Sequence, residues 1–543
     1  MAGGLLNLIS NGNNNVILTG NPSKTFFKVA YSKYTNFGLQ KFRIDYDGLR
    51  NLRLTEPSTF TFKMPRYAEL LMDTYLVINL PNIWSPIYNP CTQTGNRWSP
   101  YEFRWIRELG TNIVSEIVIT CGSHTIQKYS GEYLRAMVER DFTEEKKGLF
   151  DRMTGNVPEL YDPANAFGRQ DAYPSAYYTS SSRGAEPSIR ASKLYIPINT
   201  WFTLDSRCAF PMISLQYNEL NITVTLRPIQ ELFQVRDVFD VKNNPYIQPD
   251  FNQPQFNMYP FLQTPPADLT VVDAYPNTNN IWNADIHLLS TYCFLTPEES
   301  RRFAMEDQIY LVRDVFEYVF QNVTGSKKVQ LTSNGMISNW MFYLQRNDVN
   351  MRNEWSNYTN WPYSTLPENI KLTDPTGPLG SNPGGGSGDI YTGIFITGDL
   401  APENHKEILE TIAVVLNGDY RENVLEAGVY NYVEKYVRTK GFAKEGLYCY
   451  NFCLQTDPFE YQPSGAINLS KFRLVELEVT TYVPPFDINN LSFNIICDSN
   501  GNPIGTNKNT WRLFEYNYNM KVFEERYNVL SFIGGNCGML YAR

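Results

Sequence analysis

Between Leu220 and Leu226 the chain alternates without a break: Leu220, Ile222, Val224 and Leu226 point one way, Asn221, Thr223 and Thr225 the other. A period of two is that of a strand with one face in a core and the other toward water. Compact apolar runs at Thr74–Leu80, Glu116–Thr120, Trp340–Leu344, Ile412–Leu416 and Leu474–Thr480 predict further strands. Helical spacing is scarce. It is clearest over Gly131–Leu149, where Tyr133, Leu134, Met137 and Val138 share a face, with one more turn over Glu298–Met305. The pattern predicts an all-β chain with a few short helices in its loops.

Two stretches interrupt it. Residues 241–283 are rich in Pro and Asn (Asn243-Asn-Pro, Asn252-Gln-Pro, Thr264-Pro-Pro, Tyr275-Pro-Asn) and read as a linker between domains. Residues 374–389 hold six Gly, too few apolar side chains to bury, and read as a surface loop. No Gly-Lys-Ser/Thr follows them, so they do not form a phosphate cradle.

The halves on either side of the linker resemble each other. Pro211–Thr225 can be laid on Gly465–Thr480 with one inserted residue, so that Ile213 meets Ile467, Ile222 meets Leu477 and Val224 meets Val479. Ile117–Gly122 likewise matches Ala413–Gly418, each a strand ending in Gly. A duplicated unit of more than 200 residues is large enough for its own core. The expectation is two tandem jelly-roll β-sandwiches, a double jelly roll: residues 25–240 form the first, 284–543 the second, and 1–24 an N-terminal arm.

Composition narrows the function. Of 543 residues, 42 % are hydrophobic and 19 % charged, a folding composition. The net charge of −9 argues against a nucleic-acid coat, which needs a basic face. No apolar run is long enough to cross a membrane as a helix. The first basic residue is Lys24 and position 2 is Ala, so neither a secretory signal nor myristoylation is expected. The eight cysteines are scattered and are expected to be reduced and mostly buried. Cys121 and His124 make a lone C-x-x-H, and Cys449 and Cys453 lack a second ligand pair, so no metal is expected.

Nothing points to catalysis. There are three histidines, none in a motif, and neither G-x-S-x-G nor H-E-x-x-H occurs. Glu298-Glu299 and Glu524-Glu525 could supply carboxylates for glycoside hydrolysis but read as solvated surface charge. The expectation is no enzyme, no cofactor, and no catalytic or metal-binding residue. A carbohydrate-binding β-sandwich is the alternative, with Trp355, Tyr358, Trp361 and Tyr363 stacking on sugars; the opposing reading has these rings packing against neighbouring loops. Five N-x-S/T sequons occur, no more than chance supplies. Asn322 and Asn357, in turn-like polar context, are the candidate glycosylation sites.

Several blocks carry a family resemblance. Met1-Ala-Gly-Gly-Leu5, Leu18-Thr-Gly-Asn-Pro22, Thr25-Phe-Phe-Lys28 and Tyr34-Thr-Asn-Phe37 resemble the N-terminus of major capsid proteins of nucleocytoplasmic large DNA viruses. The likeness continues at Trp105–Leu109, Leu215–Glu219, Phe294–Ala304 and in the tail from Asn528 to Arg543. It implies a double jelly roll whose homotrimer is a pseudo-hexagonal capsomer tiling an icosahedral shell over an internal membrane. It also implies contacts with neighbouring capsomers, minor capsid and penton proteins and internal membrane-associated proteins, without direct nucleic acid. The place would be the outer shell of the virion, assembled in the cytoplasm of the infected host cell. In that setting the arm's apolar residues Leu5, Leu6, Leu8, Ile9, Val16, Ile17 and Leu18, too few to close a core, become an assembly element that docks elsewhere.

Overall fold

The computed structural model describes residues 3–85, 87–88, 99–170, 172–176, 185–236, 246–252, 256–266, 274–364, 405–484, 494–497, 503–507 and 516–541. The Gly-rich stretch 374–389 and Cys91 lie outside them.

The first unit contains β1 (Phe37–Asp45), β2 (Ser58–Lys63), β3 (Leu70–Leu80), β4 (Val114–Cys121), β5 (His124–Tyr129), β6 (Ser192–Pro197), β7 (Phe210–Pro211), β8 (Leu220–Leu226) and β9 (His287–Leu295). One sheet runs β1-β9-β3-β7, with β6 also on β3, and the other runs β2-β8-β4-β5. The alternation that predicts β8 is realised residue for residue. Ile222 and Val224 are buried with Phe60, Phe62, Ile117 and Ile119. On the outer face Thr223 meets Thr61 (3.1 Å) and Thr225 meets Thr59 (3.3 Å), a hydroxyl ladder.

The second unit contains β10 (Gln308–Phe320), β11 (Ser326–Leu331), β12 (Met336–Arg346), β13 (Leu409–Leu416), β14 (Asp419–Tyr420), β15 (Leu447–Asn451), β16 (Ile467–Asn468), β17 (Val475–Thr481), β18 (Tyr518–Ile533) and β19 (Asn536–Met539). Its sheets run β10-β18-β12-β15, with β16 also on β12 and β19 on β18, and β11-β17-β13-β14. The order repeats that of the first unit strand for strand: β10 stands for β1, β18 for β9, β12 for β3, and β11-β17-β13-β14 for β2-β8-β4-β5. Two antiparallel sheets closed face to face in this order form a jelly roll, here twice over.

This correspondence adjusts the repeat read from sequence. The equivalence of Ile222 with Leu477 and of Val224 with Val479 holds, because β8 and β17 fill the same place. Ile117 and Ile412, however, are the residues opposite Val224 and Val479. The match of Ile117 to Ala413 is therefore one residue out of register, which in a strand exchanges the two faces.

The domain boundaries also move. β9, assigned by sequence to the second unit, is hydrogen-bonded between β1 and β3 and closes the first jelly roll. The stretch read as a linker contributes Phe256, Met258 and Phe261 to the first core. The last connection of a jelly roll has the same loop composition as an interdomain linker, so composition alone cannot separate them. The chain crosses over between Leu295 and Gln308, through the Pro297–Met305 helix.

The helix expected over Gly131–Leu149 is two helices, Gly131–Asp141 and Glu144–Thr154. Ser130 caps the first, accepting from Tyr133 N. Phe142 and Thr143 turn extended between them, because Phe142 joins Val138 and Phe150 in a separate small cluster. Gly131 permits close approach: a Cβ there would stand 1.9 Å from the Thr111 carbonyl oxygen. A helical stretch that the periodicity does not announce runs over Val429–Arg438, opening with a π turn.

Candidate assembly site: the seam between the sandwiches and the exposed arm

The Gly131–Asp141 helix belongs to the first unit but lies against β18 and β12 of the second. That explains the burial of β18. Tyr518, Met520 and Val522 enter the second core, while Phe523 faces Tyr133 with ring centroids 5.7 Å apart. With both faces covered, the strand is continuously buried from Val522 to Arg526.

Charged side chains fill this seam. Arg140, fully buried, donates to Glu525 (2.9 Å), Asn339 (2.7 Å) and Asp141 (2.6 Å). Glu525 also accepts from Tyr133 OH (2.9 Å) and Asn339 Nδ2 (2.8 Å), and Asp141 accepts from Thr456 Oγ1 (2.5 Å). Two turns earlier, Glu132 accepts from Arg227 (2.9 Å), Tyr343 (3.0 Å) and Lys521 (2.5 Å). At the outer edge Arg135 pairs with Glu139 and with Asp151 (2.5 Å), and Lys444 reaches Glu108 at 3.0 Å.

Burial alone would lift these carboxyl groups, because it disfavours their charged form. At Glu132 the Lys521 and Arg227 charges outweigh it and hold the group at about 2. Arg140 and Arg313 likewise hold Glu525 below its ordinary value. At Asp141 burial prevails and the carboxyl sits above its usual range. Burial brings Lys435, whose ammonium donates to Asn431 and to carbonyl groups rather than to a carboxylate, down to about 8. A cavity of about 60 Å³ at the seam is lined by both units, with Gln127 Oε1, Asn199 Nδ2 and Tyr527 OH unpartnered around it. It has room for a few waters. The arrangement holds rather than reacts: Glu132 is satisfied by Arg227 and Lys521, and Glu525 and Asp141 by Arg140.

The sequence candidates fall in different places. Leu5, Leu6, Leu8 and Ile9 lie on a short helix, Gly3–Ile9, and Val16, Ile17 and Leu18 on a four-residue turn of helix. All are exposed, Leu18 to 90 %, as are Phe26 and Phe27 beyond them. Asn322 is exposed in a left-handed turn (φ 57°). Asn357 is buried and its amide is spent: Nδ2 donates to Trp361 O (2.8 Å), and Oδ1 accepts from Thr359 N (3.1 Å) and Oγ1 (2.7 Å). Asn357 therefore offers no acceptor to a glycan in the folded chain.

The aromatic cluster of the carbohydrate reading is turned inward. Tyr358 stacks on Tyr343 with centroids 4.0 Å apart, Tyr363 is buried, and Trp355 Nε1 donates to Glu231 O (3.0 Å) under the Arg227 guanidinium. Glu524 and Glu525, read as solvated, are among the most buried acids, and Glu524 accepts from Trp340 Nε1 (2.7 Å). Cys121, Cys208, Cys293, Cys449, Cys453 and Cys537 are free and buried. Among the described residues no three His, Cys, Asp or Glu side chains converge as metal ligands do.

The seam residues Glu132, Arg140, Lys521 and Glu525 were not legible as a site. The available signal was the density of charge in Glu132–Asp141, where Arg135, Glu139, Arg140 and Asp141 crowd a short helix that also carries Tyr133, Leu134, Met137 and Val138.

Comparison with known proteins agrees with this architecture. A family model for the N-terminus of major capsid proteins matches residues 25–262, and one for the large eukaryotic DNA virus major capsid protein matches residues 299–538. The chain is 23 % identical to the major capsid protein of Phaeocystis pouchetii virus over 590 residues, covering all of both chains. It is 23 % identical to that of Paramecium bursaria Chlorella virus 1 over 547 residues, again covering all of both. Among solved structures, the PBCV-1 virus capsid aligns with a TM-score of 0.60 at 17 % identity, over 96 % of this chain and 100 % of that one. The Faustovirus major capsid protein aligns at 0.59 and 13 %, over 96 % and 94 %. With both jelly rolls matched in sequence and in fold, the chain belongs to the major capsid protein family of large eukaryotic DNA viruses, structural proteins of the virion capsid and not enzymes.

Proposed function

We propose that three copies of this chain close into a pseudo-hexagonal capsomer that tiles an icosahedral shell. The observation that carries the reading is the strand-for-strand repetition of sheet order in the two units, locked by a buried ionic seam. A chain with two equivalent barrels contributes two sides of a six-sided block, and three-fold closure supplies the rest through one heterologous interface. Interlocked trimers of this kind bury large areas, above about 2,000 Å².

The exposed arm is the assembly element. Its apolar residues are covered by nothing among the described residues, and docking under a neighbouring capsomer or a minor capsid protein would bury them, offsetting the entropy of ordering the arm. Penton and internal membrane-associated proteins are the further partners of such a shell, and the host cytoplasm its place of assembly. Of the two sequon candidates, Asn322 remains as a glycan acceptor. Negative-stain images of the purified protein test the proposal: six-lobed blocks are expected, and single two-lobed particles would overturn it.

A further inference from the structure

We propose that Cys121 and Cys537 form a latent disulfide site, a modification that staples the C-terminal hairpin of the second barrel to the first barrel. Cys121 ends β4 and points into the first core with Ile117 and Ile119. Cys537 lies on β19, opposite Phe532 of β18, and is buried in the same cluster although it comes from the other unit. The two thiols lie close enough to act on one another.

The seat of the hairpin explains why they meet. Its turn, Gly534-Gly535, is left-handed at both residues. The Gly535 carbonyl accepts from Gln216 N (3.0 Å) and Tyr217 N (3.3 Å) of the first unit. A Cβ on Gly535 would stand 2.9 Å from Gln216 Cβ, so the approach is as close as the backbone allows. From the same loop, Glu219 O accepts from Gly122 N (2.9 Å), the residue after Cys121. The 216–219 segment thus holds the hairpin at one end and the β4–β5 turn at the other, and the two sulfurs fall between them.

The pair is also chemically asymmetric. Contact with Cys537 lowers the Cys121 thiol, against burial and with help from Arg66, while the same contact and burial push Cys537 up. Cys121, the thiol on which the Arg66 charge acts, is the attacking thiolate. The oxidant is a low-molecular-weight disulfide such as oxidised glutathione. Cys121 attacks one of its sulfurs and releases a first glutathione thiolate. Cys537 then loses its proton and attacks the Cys121 sulfur of the mixed disulfide, releasing the second. Two protein thiols are oxidised and one small disulfide is reduced to two thiols, so atoms and electrons balance. Access comes from lifting the hairpin, which sits at a sheet edge with Ile533, Leu540 and Tyr541 exposed. A chain made in a reducing compartment would carry free thiols and gain the staple on meeting an oxidising one. The closed ring would span both barrels and fix their relative placement.

The test uses the full-length reduced protein, incubated with oxidised glutathione and mapped by non-reducing peptide mass spectrometry, with melting followed in parallel. Expected are the loss of two thiols per chain, a peptide linking Cys121 to Cys537, and a melting temperature above that of the reduced protein. Cys537→Ser should abolish both the link and the gain. Glutathione adducts without a cross-link, a link between other cysteines, or a cross-link that leaves melting unchanged would each overturn the proposal. The wild-type map decides the matter even if the variant does not fold.

Discussion

Replacing Arg140 with Met tests whether the seam holds the two barrels together. The guanidinium is fully buried and donates to Asn339, Glu525 and Asp141 at 2.6–2.9 Å. Methionine is of similar length but leaves Asp141 and Glu525, both at most 2 % exposed, without their shared cation. Stranding a buried charge in this way costs about 3–5 kcal/mol, a large share of the roughly 5–15 kcal/mol that a domain has in total. Urea denaturation of wild type and variant, followed by Trp fluorescence, measures the loss. The strained carboxyls would bind protons more tightly in the folded variant than in the unfolded chain, so its stability should recover as the pH falls, narrowing the gap to wild type. A loss below about 1 kcal/mol, against the range expected for a broken buried pair, would refute the reasoning. So would a gap that does not change with pH, since the cost would then be packing and not charge.

Three further outcomes follow from the same geometry. Glu132, held at about 2 against an ordinary 4.5, contributes stability that is fully present above pH 4.5 and lost as pH falls toward 2; Glu132→Gln should remove this part of the acid limb of an unfolding curve, and an unaltered limb would contradict it. Deleting residues 1–17 should leave a soluble oligomer of near-normal melting temperature, because the described side chains of this stretch enter no core, yet impair shell assembly scored by electron microscopy. Asn357→Ala should cost about 1–3 kcal/mol by orphaning buried partners, and Asn322→Gln under about 0.5 kcal/mol, as read by chemical denaturation.

Much of the fold was legible because one-sided burial prints itself on a strand. β8 and β17 read cleanly, since one face of each meets water. β18 did not, because the second unit's core covers one face and the Gly131–Asp141 helix the other, and a doubly covered strand loses its alternation. The boundary at 241–283 failed for a related reason. The strand that closes the first jelly roll returns after a long loop, and only its hydrogen bonds to β1 and β3 show where it belongs. The seam was hidden because Glu132, Arg140, Lys521 and Glu525 come from elements almost 400 residues apart in sequence. Locally each looks like surface charge, and only the fold brings them together. Asn357 was misjudged in the same way: a polar turn predicts exposure until the Tyr343–Tyr358 stack and the Arg346–Asp348–Arg352 cluster bury the loop that carries it.

The solution mass of the purified protein tests the capsomer reading most directly. With a chain of 62.6 kDa, light scattering across micromolar concentrations should give three times that mass, unchanged on dilution. A stable species at the mass of one chain would contradict the three-fold closure on which the account rests.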